Sequence, residues 1–313
     1  AWYNGVEILR YWSPFPAYVM AFCQYLAGGS QFGAYLFYIG GVCFLGACVW
    51  PFIGRGFNRP YLGAFIGLLW FFMPNNLCAI FIEGNLARSL SMIFLPVFIY
   101  SVYKYLYNHK LRYIPLMVFT FLLMELCHLG YAGMVAIAVI IYGIVYIIQK
   151  GRKKAVLDVV ISMIFGFMLL GIWLVASLRG GITSLDNSEN MANFFQNLWI
   201  TINPFERLTR GFEYFYFGFA TLVVIVFGIL FGYKKSRTGF VTGFIILLMT
   251  TKSAYAVLKH LPGSQYLWML RFISIALCMI LMSFLMWDRL KKTLVLMLCV
   301  LLVVDTIPSL SLI

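Results

Sequence analysis

The chain has 313 residues, of which 63% are hydrophobic and 11% are charged, and its formal net charge at pH 7 is +13. So few polar groups could not cover the surface of a water-soluble domain of this size, so the composition excludes a soluble globular protein and indicates a polytopic membrane protein. The positive charge does not indicate nucleic-acid binding, because Lys and Arg separate apolar runs instead of forming one patch.

The first apolar stretch, PFPAYVMAFCQYLAGG at residues 14–29, follows the polar start AWYNGVEILRYW. A transmembrane helix needs about 20 apolar residues, so this stretch is too short to cross a bilayer. We expect a juxtamembrane helix on the outer surface, started by its two prolines and ended by Gly28-Gly29. Because the chain begins at Ala1 and has no signal-peptide pattern, we also expect an N-terminally truncated fragment.

Further apolar runs along the chain predict about ten transmembrane helices in a single transmembrane domain over residues 1–313. In chain order they are 32–53, 61–82, 86–107, 113–128, 130–149, 155–177, 214–233, 238–257, 265–287 and 293–308. The second run is interrupted by Met73-Pro74-Asn75-Asn76, where proline removes a helix donor and the two amides can satisfy freed backbone groups. The expected fold class is therefore an all-α polytopic integral membrane protein.

Basic residues lie in alternate loops, as the positive-inside rule requires of cytoplasmic loops. They are Arg55, Arg59, Lys104, Lys110, Arg112, Lys150, Arg152, Lys153, Lys154, Lys234, Lys235, Arg237, Arg289, Lys291 and Lys292. The other loops carry Glu7, Glu83, Asp186, Glu189, Glu206 and Glu213. This pattern predicts a multi-pass protein of the cell membrane with both chain ends outside and an external loop at 178–213.

The stretch FIEGNLARSL places a glutamate, an asparagine and an arginine at the outer end of the run 86–107. Asn85 is well placed as the N-cap, and Arg88 then lies in the first turn, where the helix dipole disfavours a cation. An anion bound by both the helix N-terminus and Arg88 would remove that conflict. The alternative is that Glu83 and Arg88 pair with each other at the membrane interface.

Glu125 and His128 are three residues apart, so they share one helical face at the outer end of the run 113–128. His128 is a candidate acid or base or a phosphate ligand, and the alternative is a satisfied interfacial histidine. The chain has three histidines, and His109 is expected on the inner side. We therefore do not expect a three-histidine metal site.

Arg271 lies about six residues inside the run 265–287, or about 9 Å along the helix axis. The side chain could snorkel to the interface, but an arginine inside the membrane more commonly faces a water-filled cavity. Lys252 and Lys259 flank the same outer region. A ligand that carries phosphate would find several cations there.

Four segments give the chain a resemblance to bacterial membrane proteins of the GT-C glycosyltransferase type, and more narrowly to the membrane family labelled "6-pyruvoyl-tetrahydropterin synthase-related". They are YWSPFPAYVMAFCQYLAGG, EGNLARSLSMIFLPVFIYSVYKYL, LMELCHLGYAG and QYLWMLRFISIA, which together extend from about residue 11 to 290. The pterin synthase of that name resembles a soluble zinc enzyme, and this chain lacks the histidines for such a site.

The GT-C resemblance implies a GT-C-like fold and transfer of a sugar from a polyprenyl-phosphate donor on the outer face of the membrane. It implies a catalytic carboxylate in the first outer loop, most of which we expect to lie upstream of Ala1; within the chain the candidate bases are Glu83 and His128. The expected phosphate ligands are Arg88, Arg271 and Lys252, and Asn85 and Glu125 form the cavity rim.

The expected partners are the polyprenyl-phosphate-linked sugar and membrane lipids, without nucleic acid. No cofactor is indicated with certainty, and a divalent cation is left open. Two other functions remain as alternatives. A transporter or flippase of lipid-linked sugars would need a cavity that opens to both sides, and a non-catalytic membrane scaffold would need no clustered outer charges.

Overall fold

The computed structural model describes residues 12–179, 202–203, 216–261, 267–287 and 289–311. Within these ranges the regular structure is helical and there is no β-strand, which confirms the all-α fold class. The α-helices are α1 (Phe15–Leu26), α2 (Gln31–Gly56), α3 (Pro60–Phe72), α4 (Pro74–Phe81), α5 (Leu86–Asn108), α6 (Tyr113–Lys150), α7 (Lys153–Leu169), α8 (Gly171–Arg179), α9 (Phe219–Phe231), α10 (Lys234–Met249), α11 (Lys252–Leu258), α12 (Met269–Met286) and α13 (Lys292–Val304). A 3₁₀ helix, Ile307–Ser311, follows α13.

Five helical segments within the described ranges are long and apolar enough to cross a membrane. They are α2, α5, α6, α12 and the segment Lys292–Ser309. The pair α3 and α4, bent by 55° at Met73, gives a sixth if it counts as one span. The chain is therefore multi-pass, but the predicted count of about ten is not confirmed, because several predicted spans form helices that are shorter than a span, such as α7 with 17 residues and α9 with 13.

The helix α6 folds back on itself at His128. A straight helix of its 38 residues would be about 57 Å long. The guanidinium of Arg152, just after its end, nevertheless contacts the ring of His109, just before its start. His128 has extended backbone angles, φ −158° and ψ 94°. We therefore describe α6 as a first arm, 113–127, and a second arm, 129–150, with the turn where the sequence predicts a boundary between two runs.

The side chain of Ser13 interrupts the helical hydrogen bonding at this turn. In a continuous helix the Leu129 amide would donate to the Glu125 carbonyl, four residues earlier. Here Ser13 Oγ stands between them: it donates to the Glu125 carbonyl oxygen at 2.9 Å and accepts from the Leu129 amide at 3.3 Å. A side chain inserted into the helical hydrogen-bond ladder is a known cause of a sharp kink.

The basic loops lie together at one end of the bundle. Lys104 contacts the Gly56 carbonyl, and Thr238 hydrogen-bonds to both Tyr107 and Gln149, at 2.8 and 2.7 Å. The starts of α5 and α12 and the turn of α6 lie at the opposite end. This is the grouping of loops that the charge pattern predicts, while the side of the membrane that each end faces stays a prediction.

The helix α12 forms the centre of the bundle. It is almost entirely buried and packs against α5, α6 and α10. Large apolar side chains such as Tyr61 and Ile172 are exposed on the outside of the bundle, as expected for surfaces that face lipid. The core is thus built around one helix whose first turn carries Arg271.

The predicted juxtamembrane stretch 14–29 contains the helix α1, which ends before Gly28 and Gly29 with positive φ angles of 62° and 89°. Its position at the membrane surface stays a prediction. Most of the predicted external loop 178–213 lies outside the described residues, as does Glu7.

Asp305, at the end of α13, caps the start of α9. Its carboxylate is buried and accepts hydrogen bonds from the amides of Ala220 and Thr221, at 3.1 and 2.6 Å, and from the hydroxyls of Thr221 and Tyr216. A carboxylate at a helix N-terminus satisfies the free amides of the first turn and complements the helix dipole. Asp305 therefore joins the two helices and is fully hydrogen-bonded within the fold.

Candidate functional site

Four helices begin close together at the end of the bundle opposite the basic loops. They are α4 at Pro74, α5 at Leu86, the second arm of α6 at 129 and α12 at Met269. Each helix N-terminus carries a partial positive charge and free backbone amides. We call the polar side chains between them the arginine cluster, which consists of Asn75, Glu83, Arg88, His128 and Arg271.

Arg88 enters the arginine cluster from the first turn of α5. Its amide donates to Asn85 Oδ1 at 3.0 Å, so Asn85 is the N-cap that the sequence predicts. The side chain of Arg88 is fully buried. Its Nη1 donates to Glu83 Oε1 at 3.2 Å and its Nη2 donates to Asn75 Oδ1. The ion pair between Glu83 and Arg88, one of the two alternatives from the sequence, is therefore present.

Asn75 links Arg88 to the central helix α12, because its Nδ2 donates to the Leu270 carbonyl oxygen at 3.1 Å. Its neighbour Asn76 donates to the Trp70 carbonyl oxygen at 2.5 Å. That carbonyl lies four residues before Pro74 and is left without a helical donor by the proline. Asn76 thus has the role that the sequence predicts for both amides, and the role of Asn75 in the arginine cluster was missed.

Arg271 lies in the first turn of α12 and contacts His128. Its Nη1 is 2.9 Å from His128 Nε2, and its guanidinium lies over the ring of Trp268, 4.7 Å from the centroid. The side chain therefore turns toward the arginine cluster and does not extend as a free snorkelling chain. The 143 residues between the two partners explain why the sequence singled out each one without pairing them.

His128 is the N-cap of the second arm of α6. Its backbone is extended, and its Nδ1 accepts a hydrogen bond at 3.2 Å from the amide of Tyr131, the third residue of this arm. This is the geometry of a helix N-cap. Tyr131 in turn hydrogen-bonds to Ser274 at 2.8 Å, and this bond joins the second arm to α12. The capping bond fixes the orientation of the imidazole ring toward Arg271.

The arginine cluster, as defined by these five residues, carries an excess of positive charge. Arg88 and Arg271 are close enough to repel each other, and Glu83 is the carboxylate that attracts them. Both arginines lie in first turns, where the helix dipole adds to the positive potential. Glu83 itself is partly exposed and also accepts from Asn85 Nδ2 at 3.4 Å, so it lies at the mouth of the cluster.

Two of the predicted site residues lie apart from these contacts. Glu125 is buried in the first arm of α6, and its Oε2 has no hydrogen-bond partner within the described ranges. Lys252 is exposed at the start of α11, and no described hydrogen bond or ion pair joins it to the arginine cluster. Their roles as rim residue and phosphate ligand stay predictions.

A cavity of about 340 Å³ lies away from the arginine cluster. Its lining is apolar apart from one lysine and comes from α3 and α13: Leu62, Phe65, Lys292, Val295, Leu296, Cys299, Val300 and Val303. We do not assign function to this cavity, because catalysis and phosphate recognition both need polar groups. Among the residues that the structure describes, no three His, Cys, Asp or Glu side chains are grouped as metal ligands.

Comparison with curated proteins and with solved structures finds no match. A family model described as "6-pyruvoyl-tetrahydropterin synthase related domain; membrane protein" matches residues 9–313. The match covers the whole bundle and every residue of the arginine cluster. The chain therefore belongs to the 6-pyruvoyl-tetrahydropterin synthase related family of membrane proteins.

Proposed function

We propose that the arginine cluster binds the phosphate of a polyprenyl-phosphate-linked sugar, and that the protein is a GT-C-like membrane glycosyltransferase that uses this donor on the outer face of the membrane. The observation that supports this proposal is the convergence of four helix N-termini and two arginines on one place, with Glu83, paired with Arg88, as the described carboxylate of the cluster. Helix N-termini and arginines are both well suited to bind phosphate.

The energetic argument rests on where the two arginines lie. A cation in the first turn of a helix is destabilised by about 0.3–1 kcal/mol, and Arg88 and Arg271 both lie there. Repulsion between them adds to this cost. A bound phosphate would reverse the sign of both effects, because it attracts the arginines and the helix dipoles together. A bound anion is therefore expected to stabilise this arrangement of arginines and helix N-termini.

In the proposed reaction, a hydroxyl oxygen of the acceptor forms a bond to the anomeric carbon of the sugar. The bond from that carbon to the phosphate oxygen breaks, and polyprenyl phosphate leaves with the electron pair. A carboxylate takes the hydroxyl proton. Arg88 and Arg271 would stabilise the charge that develops on the leaving phosphate.

The identity of the base follows in part from the hydrogen bonds. His128 Nδ1 already accepts from Tyr131 and Nε2 faces a guanidinium, so His128 is better suited to donate than to accept a proton. Glu83 lies at the mouth of the cluster and remains a candidate within the chain. The carboxylate that the GT-C resemblance implies in the first outer loop is the other candidate.

The test is a sugar-transfer assay on the full-length protein in membranes, with labelled polyprenyl-phosphate sugars as donors. We expect transfer that falls at least 100-fold in Arg88→Gln and Arg271→Gln and that is retained in Arg55→Lys, a substitution at the basic end of the bundle. Full activity in both cluster variants would contradict the proposal. Donor that crosses the bilayer unchanged would instead indicate a transporter of lipid-linked sugars. If the donor is neither transferred nor moved across the bilayer, the non-catalytic scaffold is the remaining alternative.

A further inference from the structure

The hydrogen bonds of His128 define where its proton lies. Nδ1 accepts from the Tyr131 amide, so this nitrogen carries a lone pair. A neutral imidazole has one N–H and one acceptor nitrogen, and the proton is therefore on Nε2. A proton on Nδ1 would break the cap of the second arm of α6. A doubly protonated ring would do the same and add a third positive charge beside Arg88 and Arg271.

Two donors therefore face each other between His128 and Arg271. A guanidinium has five N–H donors and no acceptor. Arg271 Nη1 lies 2.9 Å from Nε2, so neither group can hydrogen-bond to the other once Nε2 carries the proton. The same shortage of acceptors appears elsewhere in the cluster, because Arg88 Nε and Arg271 Nε are buried without a hydrogen-bond partner among the described residues. Every unsatisfied group of the two arginines and the ring is a donor.

We infer that a phosphate oxygen binds between Arg271 Nη1 and His128 Nε2 and accepts a hydrogen bond from each. This inference rests on the proposed function, whose phosphate ligand it places on two named atoms. It also gives His128 a binding role in place of the role of base. The shared chemistry is a tetrahedral phosphate oxyanion, which could come from a polyprenyl-phosphate headgroup or from free phosphate.

The geometry requires a small movement. An oxygen that accepts from two nitrogens at about 2.8 Å each holds them roughly 4.7 Å apart. Arg271 Nη1 must therefore move away from His128 by about 2 Å, which a flexible arginine side chain can do while its guanidinium stays over Trp268. His128 cannot move in this way, because the capping bond to Tyr131 holds it. The ring is thus the fixed half of the site and the guanidinium is the mobile half.

The experiment uses the full-length protein with ¹⁵N-labelled histidine, in maltoside micelles that contain no phosphate. The His128 signals are identified by their loss in His128→Gln. Two probes are titrated separately: inorganic phosphate and farnesyl phosphate, a short polyprenyl phosphate. We expect an Nε2–H form in the free protein and a shift of the Nε2 and Nε2–H signals that saturates with the probe.

Two substitutions at His128 separate capping from binding. Asn is a strong N-cap but is too short to reach the phosphate, so His128→Asn should keep the fold and weaken probe binding about tenfold. Arg271→Gln should weaken it by at least as much, and Arg55→Lys should leave it unchanged. Saturation by either probe supports the inference; saturation by farnesyl phosphate alone identifies the lipid headgroup as the source.

The inference is overturned if neither probe shifts the His128 signals, or if His128→Asn binds as tightly as the parent protein. A ring protonated on Nδ1 in the free protein would also overturn it. These outcomes are separate from the transfer assay. Phosphate binding without sugar transfer would contradict the glycosyltransferase proposal and support this binding site. Sugar transfer without a response of the His128 signals would support the glycosyltransferase proposal and overturn this binding site.

Discussion

Replacing Ser13 by alanine tests whether the turn of α6 positions His128. The serine hydroxyl makes hydrogen bonds of 2.9 and 3.3 Å to the backbone on either side of His128. Each such bond contributes about 1 kcal/mol, so Ser13→Ala should lower the free energy of unfolding by about 2 kcal/mol. If the Leu129 amide then bonds directly to the Glu125 carbonyl, part of this loss is recovered, but the turn closes and His128 leaves its capping conformation.

Both outcomes should reduce phosphate binding, by fivefold or more, because they move or loosen the imidazole that faces Arg271. The assay is thermal unfolding in micelles together with titration of inorganic phosphate. The matched control is Ser30→Ala, which removes a serine that caps α2 by accepting from the Gly33 amide at 3.1 Å. This control should lower stability by about 1 kcal/mol without changing phosphate affinity. An unchanged phosphate affinity in Ser13→Ala would refute the reasoning.

Three further substitutions test the surroundings of the arginine cluster and the cap of α9. Glu83→Gln should raise phosphate affinity several-fold while lowering the thermal midpoint, because Arg88 loses its counter-ion and the cluster gains net positive charge; weaker phosphate binding would contradict this balance of charge. Asn75→Ala should cost about 3 kcal/mol, since it removes an acceptor from buried Arg88 and a donor from the Leu270 carbonyl, and Asn75→Asp should recover part of the loss in the same denaturation experiment. Gly218→Ala should destabilise the protein by at least 2 kcal/mol, because the φ of Gly218 is 103° and an added Cβ would lie 2.0 Å from Asp305 Cγ. The control Gly171→Ala should be close to neutral, since a Cβ there meets nothing within 4 Å. Equal thermal midpoints for the two variants would count against the assigned cap.

Local features of the site were predictable from the sequence, and long-range ones were not. The cap at Asn85 and the break at Pro74 each depend on a few adjacent residues, so a short pattern suffices. Arg271 and His128 were each recognised as unusual, but nothing in the pattern pairs residues that are 143 positions apart. Ser13 had no signal at all, since a serine before a proline is ordinary in a loop.

The predicted number of spans is not confirmed, for a related reason. An apolar run of 16 residues, such as 113–128 in the first arm of α6, is too short to identify a span by length, and its assignment depends on neighbouring helices. The contact between His109 and Arg152 resolves the case of α6, because it requires the chain to reverse. Hydropathy places a boundary between two runs at His128, but it does not show the hydrogen bonds of Ser13 that interrupt the helix there.

The pairing of Arg88 with Glu83 and Asn75 also has a consequence for how the protein is made. About 180 residues separate Arg88 from Arg271. At a rate of protein synthesis of about 5–20 residues per second, α12 is therefore synthesised roughly 10–40 s after α5. During that interval Arg88 depends on partners that have already been made. Glu83 and Asn75, 5 and 13 residues earlier, are such partners. The segment from α3 to α5 thus carries its own charge compensation and can insert before the rest of the chain exists.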